Sequence, residues 1–256
     1  MIRLGVLGIG DLTEKMVRGL SRAGSATQCL LSPRNHDKAQ ALAEELGCAV
    51  LPSNQDVADA ADVVLLGVRP AQLETLAQEV TLKPGQPLIS VAGGVSVGEL
   101  QRLFGAREYS RAMLSRASEI NRSTVAVYPP GSIAEPLLAP LGNVVPLATE
   151  HEFELAMVGA CMNGWFYFLI HELQQWLNEQ GLPAERAREL VFSSVEDCVA
   201  YSRYKATTPI DVLGRSIATP GTFTAQGLDV LRRHGGDAAW IAACEHVIAQ
   251  LDPDRP

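Results

Sequence analysis

In the first half of the chain, short apolar runs alternate with stretches whose apolar residues recur at helical spacing. Runs over residues 2–7, 28–31, 48–51, 63–68, 88–91, 109–112 and 124–128 predict strands. Residues 38–46, 72–80 and 97–104 between them predict helices. Strand and helix in alternation predict a parallel sheet with helices on both faces. A Pro- and Gly-rich stretch over residues 129–146 predicts a break, with a turn or hinge. From residue 149 the rhythm is helical almost to the end. Residues 153–180 are apolar nearly all round, which predicts a central buried helix. Gly181-Leu182-Pro183 ends it and starts the next. Ala187, Leu190, Val191, Val195, Cys198 and Val199 mark one face of a second long helix, and Trp240, Ile241, Cys244, Val247, Ile248 and Leu251 mark one face of the last. So apolar a first helix needs more partners than these faces offer, so a second subunit is expected to complete it.

The chemistry begins at the first turn. The run from Ile2 to Leu7 breaks at Gly8-Ile9-Gly10, and a helical pattern follows through Met16, Val17 and Leu20. A strand, a glycine turn and a helix form the opening of a dinucleotide-binding fold. Gly8 permits the turn, and Gly10 lets the backbone of Asp11 and Leu12 approach a pyrophosphate. Thr13 stands where the fingerprint has its third glycine. The expected architecture is therefore α/β: a Rossmann-type doubly wound nucleotide domain over residues 1–148, then an all-helical dimerisation domain over residues 149–256. Asp11 and Glu14 put two carboxylates where phosphate would lie. Asp11-Leu12-Thr13-Glu14 resembles a capping box that would compete for the same amides.

Composition narrows the setting. A charge of −8 over 256 residues argues against nucleic acid and anionic membranes as partners. The five cysteines form no Cys-x-x-Cys pair and read as reduced, small apolar residues. With a strand predicted from residue 2, no signal peptide is expected ahead of it. The stretch over residues 155–170 is short for a membrane span and holds Asn163 and two glycines. A cytoplasmic location is expected. The five histidines form no paired helical motif, so no metal site is expected.

In NAD-binding domains an acidic residue about 20 positions past the glycines takes the ribose hydroxyls. Here the second strand ends Leu31-Ser32-Pro33-Arg34-Asn35, without a carboxylate. Ser32, Arg34 and Asn35 suit a 2′-phosphate, which arginine can clamp with two bonds, and point to NADP. The alternative is a polar turn with Asn35 and Asp37 as helix caps.

Several segments, in order along nearly the whole chain, resemble the pyrroline-5-carboxylate reductase family. Gly8-Ile9-Gly10 with Met16 and Arg18-Gly19-Leu20 resembles its first turn and helix. Val68-Arg69-Pro70 resembles its Val-Lys-Pro beside the adenosine. Residues 89–95, Ile-Ser-Val-Ala-Gly-Gly-Val, resemble its stretch near the nicotinamide, with Ala92 and Gly93 at the centre. Arg111-Ala112-Met113 resembles the start of Arg-Ala-Met-Pro-Asn. Residues 219–224, Thr-Pro-Gly-Thr-Phe-Thr, resemble Ser-Pro-Gly-Gly-Thr-Thr.

The resemblance implies a nucleotide domain followed by a helical domain that interlocks two subunits, an active site shared between them, and reduction of a cyclic imine by NAD(P)H. It implies that Gly221 and Thr222 hold the substrate carboxylate by backbone amides, with Met113 nearby. It also places the Thr219 and Thr224 hydroxyls near the imine nitrogen as catalytic candidates.

Departures cluster on the substrate side. Thr222 and Phe223 replace a glycine and a threonine, Leu114-Ser115 replaces Pro-Asn, and the proline that opens the long helix is absent. These imply either a more apolar imine or carbonyl substrate, or a regulatory NADP-binding protein that has lost turnover. The 3-hydroxyacid dehydrogenases related to 6-phosphogluconate dehydrogenase share the architecture but place a catalytic lysine on the long helix. Residues 153–180 contain none.

Overall fold

The computed structural model describes residues 1–251. Two compact units are present among the described residues, the first over Met1–Ala160 and the second from Cys161 onward. The first is built on an eight-stranded sheet of order β3-β2-β1-β4-β5-β6-β7-β8. Its strands are β1 (Ile2–Leu7), β2 (Thr27–Leu31), β3 (Ala49–Val50), β4 (Val63–Leu66), β5 (Leu88–Ser90), β6 (Tyr109–Met113), β7 (Ser123–Tyr128) and β8 (Gly142–Pro146). The first six are parallel and follow the order 3-2-1-4-5-6 of a Rossmann sheet. β7 is antiparallel to β6, and β8 is parallel to β7.

Alternation along each strand explains the two-sided core. Leu65 points into one cluster with Val6, Leu31 and Ile89, while Val64 and Leu66 point into another with Leu7, Leu30 and Leu88. The first cluster is closed by α1 (Asp11–Arg22), α2 (His36–Leu46) and α6 (Ala134–Leu138). The second is closed by α3 (Asn54–Ala60), α4 (Leu73–Glu79) and α5 (Val97–Phe104).

The break expected over residues 129–146 holds α6 and β8 instead. Its prolines sit where they do no damage. Pro136 lies in the first turn of α6, where the missing N–H would have no partner in any case, and Pro146 ends an edge strand. The short α3 has no periodic signature of its own. It is started by Ser53, whose Oγ accepts from the Asp56 N–H at 3.0 Å.

The second unit takes most of α7 (Glu150–Glu179), with α8 (Ala184–Tyr204), α9 (Ile210–Ile217), α10 (Phe223–Arg233) and α11 (Gly236–Leu251). Trp165 and Phe166 of α7 meet Trp240 of α11 with ring centroids 6.1 and 5.6 Å apart. The expectation of a buried α7 fails within the chain. Phe166, Tyr167, Phe168, Leu169, Leu173 and Trp176 are all exposed, Phe168 at 74%. The unit offers too few apolar faces to cover an all-apolar helix, and its buried apolar side chains among the described residues are Ala187, Val191 and Ile248. The helix is also longer than the apolar stretch suggested. At 30 residues it is long and apolar enough to cross a membrane by length and composition.

Candidate active site

The carboxyl ends of the parallel strands carry the candidate residues in sheet order. Arg34 follows β2, the glycine turn follows β1, Val68 follows β4, Ala92 and Gly93 follow β5, and Met113 ends β6. At about 4.8 Å per strand these five ends span roughly 19 Å, a groove suited to an extended dinucleotide. β1 and β4 flank the topological switch point, where open α/β sheets bind ligands.

At the switch point Gly8 has φ +95°, and a Cβ there would stand 2.6 Å from Val68 Cγ1. The turn therefore requires glycine. Gly10 is different. Its Cβ would meet nothing nearer than the Gly67 carbonyl at 3.8 Å, so chain packing does not demand its bareness. An approaching phosphate does.

Thr13, at the third glycine position, is buried and packs against Gly67 just past β4, where a Cβ would lie 2.6 Å from the Gly8 carbonyl. The small residue that permits close helix–strand packing has moved from the helix to the neighbouring strand. The Thr13 hydroxyl donates to the Gly8 carbonyl at 2.9 Å and accepts from the Gly10 N–H at 2.8 Å, which holds the loop closed.

The expected capping box does not form. Gly10 is the N-cap of α1 and no side chain caps the helix, so the first-turn amides of Asp11 and Leu12 remain open to an anion. Asp11 turns outward to Arg116, with Nε 2.8 Å from Oδ2. Glu14 is held by Arg18 and by Lys38, whose Nζ is 2.5 Å from Oε2. Burial acts to raise the Glu14 pKa, but hydrogen bonds and charge from Lys38 and Arg18 outweigh it and hold the carboxyl below its ordinary range. Both acids are tied away from the phosphate position.

A cleft of 430 Å³ opens beside this turn, lined by Gly8, Ile9, Gly10, Arg34, Asn35, His36, Asp37, Gly67, Val68, Arg69 and Gln72. Arg34 and Arg69 enter it from the β2 and β4 ends. Both are exposed, and neither pairs with a carboxylate among the described residues. Two unpaired guanidiniums in one cleft suit a phosphate dianion. Arg69 is the cation of the Val68-Arg69-Pro70 segment at the end of a buried strand, and the structure adds it to the candidates Val68 and Pro70.

The remaining nucleotide-side candidates are placed differently, Asn35 in the cleft lining and the others outside it. Ser32 is fully buried, and its Oγ accepts from the Gly8 N–H at 2.9 Å. It braces the turn from behind and does not line the cleft. Asn35 sits at the N-cap of α2 without capping it, and donates from Nδ2 to the Ile9 carbonyl at 3.0 Å. Pro70 starts a 3-10 turn next to the cleft without lining it. Ala92, Gly93 and Met113 also lie outside the cleft lining, further along the strand ends.

The remaining candidates belong to the second unit. Thr222 is the N-cap of α10. Its Oγ1 accepts from the Ala225 N–H at 3.2 Å and donates to the Thr219 carbonyl at 2.8 Å, and its own amide also reaches that carbonyl. With Thr222 occupied by the cap, the first-turn amides of α10 and the exposed Thr219 and Thr224 are what the turn presents. Phe223 stands among them at 91% exposure. Among the described residues no cluster of three or more His, Cys, Asp or Glu could hold a metal ion.

Comparison with known proteins follows this division. Residues 3–94 match the family described as NADP oxidoreductase coenzyme F420-dependent, and residues 152–252 match pyrroline-5-carboxylate reductase dimerisation. The chain is 25% identical to pyrroline-5-carboxylate reductase of Pisum sativum, over 91% of this chain and 88% of that protein. It is 23% identical to pyrroline-5-carboxylate reductase 1 of Bacillus spizizenii, over 95% and 86%. The solved 1-pyrroline-5-carboxylate reductase of Streptococcus pyogenes superposes with a TM-score of 0.88 at 24% identity, covering 98% of each chain. The Plasmodium falciparum pyrroline carboxylate reductase with NADP bound gives 0.87 at 19% identity, covering 98% and 97%.

Proposed function

We infer that the chain is a member of the pyrroline-5-carboxylate reductase family and acts as an NADPH-dependent reductase of a small cyclic imine. The observation that carries this reading is the open glycine turn beside two unpaired arginines, the groups an NADP pyrophosphate and 2′-phosphate need. NADP(H) is the cofactor, and when bound it supplies the hydride delivered to the C=N bond. The amides of Asp11 and Leu12 receive the pyrophosphate, and Arg34 with Arg69 clamps the 2′-phosphate. Val68 lines the cleft on the adenosine side, with Pro70 adjoining it. Ala92, Gly93 and Met113 form the nicotinamide side.

A cyclic imine is protonated readily, so the protein's task is orientation and hydrogen bonding, not deep acid–base chemistry. Open amides at the start of α10 suit a substrate carboxylate, with Gly221 and Thr222 shaping the turn and Thr219 and Thr224 offering hydroxyls to the imine nitrogen. The exposed apolar surface of α7 to α11 fits assembly as a homodimer through the helical half. Five free thiols and a charge of −8 fit a cytoplasmic protein acting on a small molecule.

Fluorescence titration with NADPH and NADH, followed by NADPH oxidation across cyclic imines including pyrroline-5-carboxylate, tests the reading. Arg34→Ala is expected to weaken NADPH about 10- to 100-fold and leave NADH unchanged, the loss of a charge-assisted contact. Equal loss for both nucleotides would remove the 2′-phosphate assignment, and failure to bind either would remove the reductase.

A further inference from the structure

Arg111 on β6 is the largest of the fully buried side chains, at 1% exposure. A guanidinium so placed demands partners. Its Nη1 donates to Glu150 Oε1 at 2.9 Å and lies 2.6 Å from Glu154 Oε1. The group also covers the Phe153 ring, 4.3 Å from the centroid. Glu150 Oε1 additionally accepts the Val97 N–H at 2.9 Å, which joins the start of α5 to the cluster. Arg111 Nε and Nη2 and Glu154 Oε2 find no partner.

A half-satisfied buried ion cluster is an inefficient adhesive. Apolar side chains of similar volume would hold a helix to a sheet at least as well. What the cluster supplies is direction, because carboxylates from two successive turns of α7 converge on one nitrogen and fix the helix in rotation and height. The consequence lies one turn further on. Met157 follows Phe153 by four residues, and its Cε is 2.8 Å from where a Cβ on Gly93 would be. Gly93 follows β5, and Arg111 lies in register with Ser90 of that strand.

We propose that Arg111 is a positioning residue for hydride transfer: through Glu150 and Glu154 it seats α7 so that Met157 abuts Gly93 and shapes the nicotinamide end of the groove. The proposal rests on the NADPH reading above. At 1% exposure Arg111 is too buried to reach cofactor or substrate itself, and the adenosine end of the groove lies at other strand ends.

The test uses the full chain with Arg111→Met, Arg111→Lys and Met157→Ala, reading NADPH affinity, the fluorescence of the bound nicotinamide, turnover and the kinetic isotope effect with 4-deuterated NADPH. In Arg111→Met, NADPH affinity is expected to stay within about threefold, while kcat falls about tenfold or more and the isotope effect rises. The nicotinamide fluorescence enhancement is expected to fall by about half or more as the ring loses its seat. Arg111→Lys should recover part of each. Met157→Ala, which leaves the ion cluster intact, should reproduce the fluorescence loss and supplies the test if Arg111→Met does not fold. Wild-type fluorescence and isotope effect in these variants, with only a lowered melting temperature, would overturn the proposal. A wild-type protein that binds NADPH but reduces no imine would sink the reductase reading, while the fluorescence of the variants would still decide this one. A wild-type protein that binds no NADPH would overturn both.

Discussion

The two halves of this chain spend their apolar residues in opposite ways. In residues 1–160 strand after strand is buried on both faces, and β4 has no exposed residue at all. In residues 161–251 the aromatic and aliphatic side chains of α7, α8 and α9 face outward, and very few are buried. The first half closes its core from its own sequence. The second carries comparable apolar material without the layers to enclose it, since a lone helix layer cannot cover an all-apolar α7. Exposed apolar surface on that scale marks an interaction site. The match to a dimerisation domain over residues 152–252 agrees with this. A self-contained core and an uncovered apolar surface therefore coexist in one chain.

The contrast can be broken by substitutions. Leu65→Ala, in the centre of the first core, is expected to cost about 2–5 kcal/mol in urea unfolding, with the nucleotide domain's loss independent of protein concentration. Phe168→Glu, on the outward face of α7, would change stability by no more than about 0.5 kcal/mol if that face met only water. If a second copy covers it, we expect about 2 kcal/mol or more of lost association and a shift from dimer to monomer in sedimentation velocity. An unchanged sedimentation coefficient would remove the contrast.

The smallest effect is expected at the entrance to β1. There Asp62 accepts from the Arg3 side chain and backbone, and these bonds hold its carboxyl down at about 2. A folded pKa below the ordinary 3.8 gives stabilisation that is complete above 3.8 and lost as pH falls through about 2. Asp62→Asn should therefore lower the melting temperature slightly near neutral pH, and the gap should close between pH 4 and 2. A gap that persisted at about pH 2 would refute the ionic account.

Much of the first half was legible because strand burial and helical spacing are local patterns. The seven predicted strands all form, some shorter than expected. β8 escaped because prolines signal a break unless their place at a helix start or a sheet edge is known. The site was legible in part. Gly8, Gly10 and Arg34 announce themselves by type and spacing, whereas Arg69 pairs with Arg34 as a phosphate clamp only when the β2 and β4 ends are placed beside one cleft. Ser32 looked like a ligand group because its hydroxyl follows a strand, but the direction of that hydroxyl depends on Gly8. The Asp11-to-Glu14 capping box matched a motif whose residues found stronger partners, Arg116, Lys38 and Arg18, on elements remote in sequence or a turn away.

By itself the sequence determined the nucleotide-binding class, the helical second half and the surplus of apolar side chains on α7, because these depend on residue type and period. Tertiary structure alone decided that Thr13 and Gly67 exchange the packing role of a glycine, that two arginines share a cleft, and that Arg111 lies buried between two glutamates. Each of those is a meeting between residues distant along the chain. Hydrogen bonds and charge pairs act over a few ångströms of space, which spacing along a sequence does not specify.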